Sequence, residues 1–297
     1  MNNRSFKRRC LSDKVFIILD YAILILLLVL VAYPLLYVVM ASFSAGAASM
    51  TPYLIPKKFS LAGYQAVFQF KDIWTGYLNS LINMVLGTLI SLAMTMLCAY
   101  PLSRQDFRPR NFIMILCMIT MYFAGGMIPS YLNIKNLGLL NTRMALILPG
   151  ALSVYNMIVT RTYLMTSIPG DIWESAQIDG CGNVRYLLSM IIPLSKPILA
   201  VIGLFYAVGL WNSYFDAMIY VSSRRDLYPL ALVLREILVL ESSNMDQLDV
   251  NTLLALEERR NVMKYAVIVV ASVPVMAIYP FVQKFFVKGV MIGAVKG

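Results

Sequence analysis

Glu174-Ser175-Ala176-Gln177-Ile178-Asp179-Gly180-Cys181, closed by Pro193-Leu194-Ser195-Lys196-Pro197, is a polar segment set between two long apolar runs. A loop of this length that also carries helix signals does more than connect its neighbours. It reads as a docking element. The sequence on either side decides what kind of protein it belongs to.

That sequence is 297 residues long, 60% hydrophobic and 13% charged, with a mean hydropathy of +0.72. Soluble domains carry roughly 45–50% apolar and about 25% charged residues, so the composition is that of a multispanning membrane protein. A net charge of +10 could point to nucleic acid, but the cations lie in short clusters between apolar runs, without a basic helical stripe. Nucleic acid is therefore not an expected partner, whereas membrane lipid is. Histidine is absent, which removes the commonest metal ligand and general base. Cys10, Cys98, Cys117 and Cys181 have neither zinc-ligand nor disulfide spacing and read as small apolar fillers. Arg4, Lys7, Arg8 and Arg9 precede an apolar run too long for a signal-peptide core, so that run reads as a retained first helix.

A bilayer core of about 30 Å needs roughly 20 apolar residues as helix. Six segments qualify, at about 16–41, 78–102, 111–132, 143–164, 197–221 and 263–286. Prolines inside them, such as Pro129 and Pro149, are tolerated because neighbouring helices and Ser/Thr side chains satisfy the freed backbone groups. The expected fold is an all-α integral membrane protein of six transmembrane helices.

Orientation follows from lysine and arginine. With the N-terminus inside, the inner segments hold Arg4, Lys7, Arg8, Arg9 and Lys14, then Arg104, Arg108 and Arg110, then Arg161, Arg185 and Lys196, then Lys284, Lys288 and Lys296. The other cations lie mainly in two long loops, about 42–77 and 222–262, where charge governs topology weakly. Both termini and the 165–196 loop are therefore expected in the cytoplasm.

Within that loop Pro169-Gly170 ends the fourth span, and Asp171-Ile172-Trp173-Glu174 has the form of a capping box opening a short helix to about Asp179. Gly180 suits a left-handed C-terminal cap. A second short helix, Val184 to Ile192, is expected to stop at Pro193. Ile172 and Ala176 share a face, while Glu174 and Asp179 stay available to a partner. The spacing alone is equally that of an amphipathic connector lying at the membrane interface.

The residues resemble a known family. Glu174-Ser175-Ala176, Asp179-Gly180 three residues on, and Ile192-Pro193-Leu194-Ser195-x-Pro197 are similar to the EAA loop of permease subunits of bacterial ABC importers, in the variant of the maltose-type carbohydrate group. Ser175 and Cys181 stand where that family usually has Ala; both are small. The ends Phe285-Phe286-Val287-Lys288-Gly289 and Gly293-Ala294-Val295-Lys296-Gly297 resemble the tail of the second permease of such pairs. Asp226-Leu227-Tyr228-Pro229-Leu230 with Leu234-Arg235-Glu236-Ile237-Leu238 resembles the branch that handles aldouronate, rhamnogalacturonan or alginate oligosaccharides.

The resemblance implies one permease domain over 1–297, with a coupling loop at 165–196, an extracytoplasmic loop at 222–262 and a cytoplasmic tail at 287–297. It implies that Glu174, Ser175, Ala176, Asp179 and Gly180 seat against an ATP-hydrolysing subunit, Glu174 pairing with that subunit's basic residues. The expected partners are a homologous permease, two ATP-binding subunits and an extracytoplasmic solute-binding protein, which the 222–262 loop would contact unless it simply lies on the membrane. The chain has no G-x-x-x-x-G-K-[ST] phosphate loop, so ATP and Mg belong to the ATPase subunits and no cofactor is expected here. The expected location is the bacterial cytoplasmic membrane.

Polar groups at membrane depth usually face an interior cavity. The fifth span carries the densest set, Trp211-Asn212-Ser213-Tyr214-Phe215-Asp216. Asn and Asp suit sugar hydroxyls, and Trp and Tyr suit sugar C–H faces, so Trp211, Asn212, Tyr214 and Asp216 are the candidate substrate path. At helical spacing Trp211 and Phe215 share a face, as do Asn212 and Asp216. The same residues serve equally as polar glue between helices, with Tyr220 in the interfacial aromatic belt. Asn79, Asn83 and Thr88 on the second span read better as helix-packing contacts. The expected function is the permease half of an ATP-driven oligosaccharide importer. The rivals are an ABC permease for a non-sugar solute and a membrane-embedded glycan-lipid enzyme, the latter disfavoured by the missing histidines and the isolated acids.

Overall fold

One face of the 33-residue helix Lys71–Ser103 is built almost entirely of small side chains, and the fold is organised around it. Gly76, Ser80, Asn83, Gly87, Ser91, Thr95 and Ala99 recur every three or four residues and are all buried. Helices in hydrocarbon gain little from burying apolar surface, so they associate through close backbone approach, which small residues permit.

The computed structural model describes residues 11–44, 59–239, 263–277 and 280. Its helices are α1 (Leu11–Ser42), α2 (Ala62–Gln69), α3 (Lys71–Ser103), α4 (Arg110–Tyr122), α5 (Met127–Asn136), α6 (Met144–Ile147), α7 (Val154–Ser167) and α8 (Asp171–Ile178). There follow α9 (Asn183–Leu194), α10 (Lys196–Asn212), α11 (Phe215–Tyr220), α12 (Leu230–Val239) and α13 (Met263–Ala277). Among the described residues there is no strand, only an isolated bridge between Ser44 and Phe59. The N-terminal arm, the acidic stretch after Leu240 and the tail beyond Lys284 lie outside the described residues.

The described residues divide into two parts, 1–69 with 241–270 and 70–240 with 271–297. In the first, α1 keeps its apolar side chains exposed over nearly its whole length. Near its end Tyr37 meets Tyr265 edge-on at 5.8 Å, and Ser42 Oγ pairs with the Tyr64 hydroxyl at 2.7 Å.

In the second part α10 and α12 lie along α3. A Cβ on Gly76 would sit 3.1 Å from the Leu230 Cα, and Gly203 of α10 approaches the Leu92 side chain. Leu230 N–H donates to Ser80 Oγ at 2.8 Å, and the Tyr206 hydroxyl pairs with Thr95 Oγ1 at 2.8 Å while accepting the Ser153 N–H. Each polar side chain of the α3 stripe thus ties a neighbour to it. The inner end of α3 is finished by arginines from elsewhere. Arg161 Nε donates to the Leu102 carbonyl at 2.8 Å, and Arg110 donates to the Arg104 carbonyl at 3.1 Å. Cations there satisfy orphan carbonyls and oppose the negative end of the helix dipole.

The expected spans differ from the structure in continuity. Among the described residues two helices, α1 and α3, are long and apolar enough to cross a membrane, or up to four segments if each bent pair counts as one span. The stretch 111–132 is α4 and α5 bent by 115° at Gly125-Gly126, where Gly126 has φ +89, a conformation open to glycine. The stretch 143–164 breaks at Pro149-Gly150 and restarts at Ser153, which caps α7 by accepting the Asn156 N–H. The stretch 197–221 breaks between Asn212 and Phe215. The outer segment from Leu230 forms α12, whose Leu230, Leu232, Val233 and Ile237 are buried.

Candidate functional site

The cytoplasmic loop is anchored by its own short helix. On α8 the side chains of Ile172, Trp173 and Ala176 join a core with Tyr100, Tyr186, Leu187 and Ile191, and Ala176 is 2% exposed. Glu174, Ser175, Gln177, Ile178, Asp179 and Gly180 are exposed, Ile178 at 88%. The apolar face of α8 is turned toward its own chain, and an acidic face with one bare isoleucine is left outward.

Helix α8 starts differently from the expected capping box. Gly170 is the N-cap and no side chain caps it, so Asp171 stands inside the first turn with Glu174. Pro169 accounts for the difference: it fixes the approach, and the turn closes through Trp173 and Glu174 N–H groups on the Gly170 carbonyl. The two acids then face the positive end of the helix dipole. At the other end Gly180 has φ +70; its N–H reaches the Gln177 carbonyl at 3.0 Å, and the Cys181 N–H reaches Ala176 at 2.9 Å. This is a Schellman cap, with Cys181 packed near Ala176 in the same core.

The second helix runs on past its expected stop. α9 passes through Pro193 to Leu194 because Leu187–Ile191 is π-helical, with the Ile192 N–H bonding Leu187 five residues back. The wider turn absorbs the register that proline would break. The chain turns instead at Ser195, by 82° into α10, whose first turn holds Pro197.

At the root of α8 the guanidinium carbon of Arg104 lies 3.7 Å from the Trp173 ring centre. Arg104 also holds Asp106 through two hydrogen bonds, 2.9 and 2.7 Å. Trp173 meets Tyr186 edge-on at 4.8 Å, and the Tyr100 hydroxyl reaches Asn183 at 3.4 Å. Hydrogen bonding from Arg104 holds the Asp106 carboxyl below its usual pKa, and burial raises the Tyr186 phenol. A pocket of about 380 Å³ opens beside this cluster between Arg104, Asp106, Ile168, Trp173 and Glu174.

The fifth-span candidates are separated by the break. Trp211 is buried at 6% against Tyr77, ring centres 5.5 Å apart, whereas Phe215 is 49% exposed, so the two do not share a face. Asn212 is exposed and donates to the Val208 carbonyl at 2.9 Å. Asp216 begins α11 and is half-buried, in a different register from Asn212. Tyr214 is 40% exposed, with the Arg235 guanidinium 5.8 Å from its ring. Tyr220 is not in an exposed belt: it is 6% exposed, beside the Tyr131 ring at 6.4 Å.

Asn79 and Asn83 hold helices together. Asn79 Nδ2 donates to the Asp226 and Tyr228 carbonyls at 2.7 and 3.1 Å. Arg143 donates to Asn79 Oδ1 at 2.9 Å and to Asn83 Oδ1 at 2.8 Å. The sequence reading overlooked Arg143, which sits in a loop and has no periodic signal, and Ile178, whose apolar character pointed inward. Arg104 and Trp173 were visible only as a topology cation and a capping-box spacer.

No protein-family profile matches the chain. The chain is 38% identical over 292 residues to the polygalacturonan/rhamnogalacturonan transport system permease protein YtcP of Bacillus subtilis (strain 168), covering 97% of this chain and 100% of that one. It is 39% identical over 266 residues to protein LplC of the same organism, covering 89% of each. It is 29% identical over 279 residues to the diacetylchitobiose uptake system permease protein NgcG of Streptomyces coelicolor, covering 92% of this chain and 87% of that one. Among solved structures it is similar to a chain of a bacterial ABC transporter involved in the import of the acidic polysaccharide alginate. The TM-score is 0.84 at 33% identity, over 94% of this chain and 99% of that chain.

Proposed function

We propose, from the premise that this chain belongs to the permease subunits of bacterial carbohydrate ABC importers, that α8 is the element through which ATP-driven motion enters it. It is an integral membrane transport subunit and not an enzyme; the ATPase is a separate subunit. It works with ATPase and binding-protein subunits on a sugar substrate.

The finer reading is as follows. Six spans cross the cytoplasmic membrane with both termini inside, the α4–α5 and α10–α11 breaks lying within spans. The chain pairs with a homologous permease, and together they enclose a path for an oligosaccharide. Glu174, Ser175, Ala176, Asp179 and Gly180 form the docking helix and its turn. ATP and Mg bind the ATPase subunits alone. Asn212, Asp216, Trp211 and Tyr214 mark the path at the break, where unwound backbone adds polar groups that only a cavity or a protein neighbour can satisfy. The exposed loops beyond α11 receive the binding protein.

The observation that carries the docking assignment is the direction of α8. An interfacial connector would turn Ile172 and Ala176 to lipid; here they are packed inward, and Glu174 with Ile178 faces outward. The experiment is co-purification of the ATPase subunits with Glu174→Arg and Ile178→Asp variants. Loss of those subunits and of transport, with the permease pair still in the membrane, is expected. Recovery of full ATPase and transport from both variants would sink the assignment. A non-sugar solute is the remaining alternative, tested by whether polygalacturonan and alginate digests stimulate uptake by the complete transporter.

A further inference from the structure

We infer that Arg104 is a positioning residue that fastens the docking helix to the inner end of α3, so that α8 and α3 move as one rigid lever. The inference rests on the reading of α8 given above and goes beyond it by naming where the motion goes next. Two helices that must transmit a displacement need a connection that does not yield. A flexible loop between them would dissipate it, and α8 is joined to α7 and α9 by Ile168 to Gly170 and by Cys181-Gly182.

Arg104 supplies the connection without the loops. It stands immediately after the last residue of α3 as its C-cap. Its side chain is 12% exposed, although arginines at helix ends ordinarily reach into water. The guanidinium plane is held from two directions. Asp106 grips it with two hydrogen bonds from one side, and the Trp173 ring takes its face at 3.7 Å on the other. Only the planar, forked guanidinium can make both contacts together; a lysine ammonium would keep the charge and lose the fork and the stack. The backbone at Arg104 is fixed in turn, its carbonyl accepting from Arg110 and its N–H reaching Pro101. Trp173 is braced from behind by Tyr186. The chain of contacts Asp106–Arg104–Trp173–Tyr186 therefore runs from α3 through α8 into α9 with side chains held at every step.

The test reads rigidity directly. In the complete transporter, with the native cysteines replaced, nitroxides at Asp171 on α8 and Leu78 near the outer end of α3 report one distance by double electron–electron resonance. Both positions are exposed. In otherwise wild-type protein the distance should be a single narrow distribution that does not move between the nucleotide-free and the ATP–vanadate-trapped states. In Arg104→Ala and in Trp173→Ala it should at least double in width, and the double variant should be no broader than either single one. Arg104→Lys should resemble Arg104→Ala, whereas Trp173→Phe, which keeps a ring, should stay near wild type. A wild-type distance that shifts with nucleotide, or an Arg104→Ala distribution as narrow as wild type, would overturn the inference. Loss of the ATPase subunits from Arg104→Ala would overturn it as well, because the residue would then serve docking. The docking assignment itself stands or falls separately, on Glu174→Arg and Ile178→Asp.

Discussion

Gly87 of α3 faces Leu210 of α10 so closely that a Cβ at position 87 would lie 2.5 Å from Leu210 Cδ1. No side chain fits there unless the leucine moves. Gly87→Ala should therefore cost about 1–3 kcal/mol, the usual range for overpacking, despite alanine's better helix propensity. Leu210→Ala in the Gly87→Ala background should recover part of that loss. The thermal midpoints of the four purified transporters give the coupling, expected at about 1 kcal/mol or more for residues in contact.

Gly180 is constrained by its backbone and not by space, since nothing lies within 4 Å of where its Cβ would be. Left-handed φ costs most residues about 1–2 kcal/mol, with asparagine less affected. ATPase-subunit recovery should fall in the order Gly, Asn, Ala, Val at this position. A valine variant equal to wild type would mean that the turn is not needed for docking.

Arg143 is half-buried and serves two buried acceptors, Asn79 Oδ1 and Asn83 Oδ1. Arg143→Met leaves both without that donor, at about 1–3 kcal/mol for each unsatisfied buried group. Adding Asn83→Leu should restore some stability by removing one of the orphaned acceptors. Melting of the purified complex distinguishes this strut from a residue that matters only to transport.

Asp216 heads α11 beside the break that interrupts the fifth span. If it lines the path, Asp216→Ala should lower oligosaccharide uptake at least tenfold while leaving assembly and basal ATP hydrolysis near wild type. Unchanged uptake would remove it from the path.

The Arg104–Asp106 pair should be insensitive to pH through the physiological range. Asp106 has a depressed carboxyl pKa, so its contribution is complete above the unfolded value of about 3.9 and disappears only as pH falls through the lower folded value. Asp106 is 64% exposed, and such pairs contribute under about 1 kcal/mol. The small difference in melting between wild type and Asp106→Asn should be the same at pH 6 and pH 8, and vanish in acid below about pH 4.

The apolar runs and the polar loop were readable because hydrocarbon thickness and residue type act locally. The Gly180 turn was readable too, because one backbone angle dictates the residue. The breaks at Gly126 and after Asn212 were not, since a membrane helix can carry Gly, Pro and polar residues unbroken, and only the neighbours decide otherwise. The same holds for Trp211: its polar surroundings in sequence suggested a wall of the path, while Tyr77, 134 positions earlier, determines that it is covered. Arg104 was counted for its charge. Its plane and its place over Trp173 depend on the third dimension.

The π-helical turn at Leu187–Ile191 has a consequence for length. Such a turn holds one residue more than the α-helix around it, so it is equivalent to a single-residue insertion lodged inside α9. Removing one residue there would let the helix close to an ordinary spiral and rotate everything beyond it by roughly 100°, one residue's step around the axis. The side chains of Ile192 and Leu194 would leave their present neighbours, and the 82° corner into α10 would point elsewhere. A deletion of one codon in this stretch is therefore a change of direction, whereas point substitutions at the same positions alter only what fills the space.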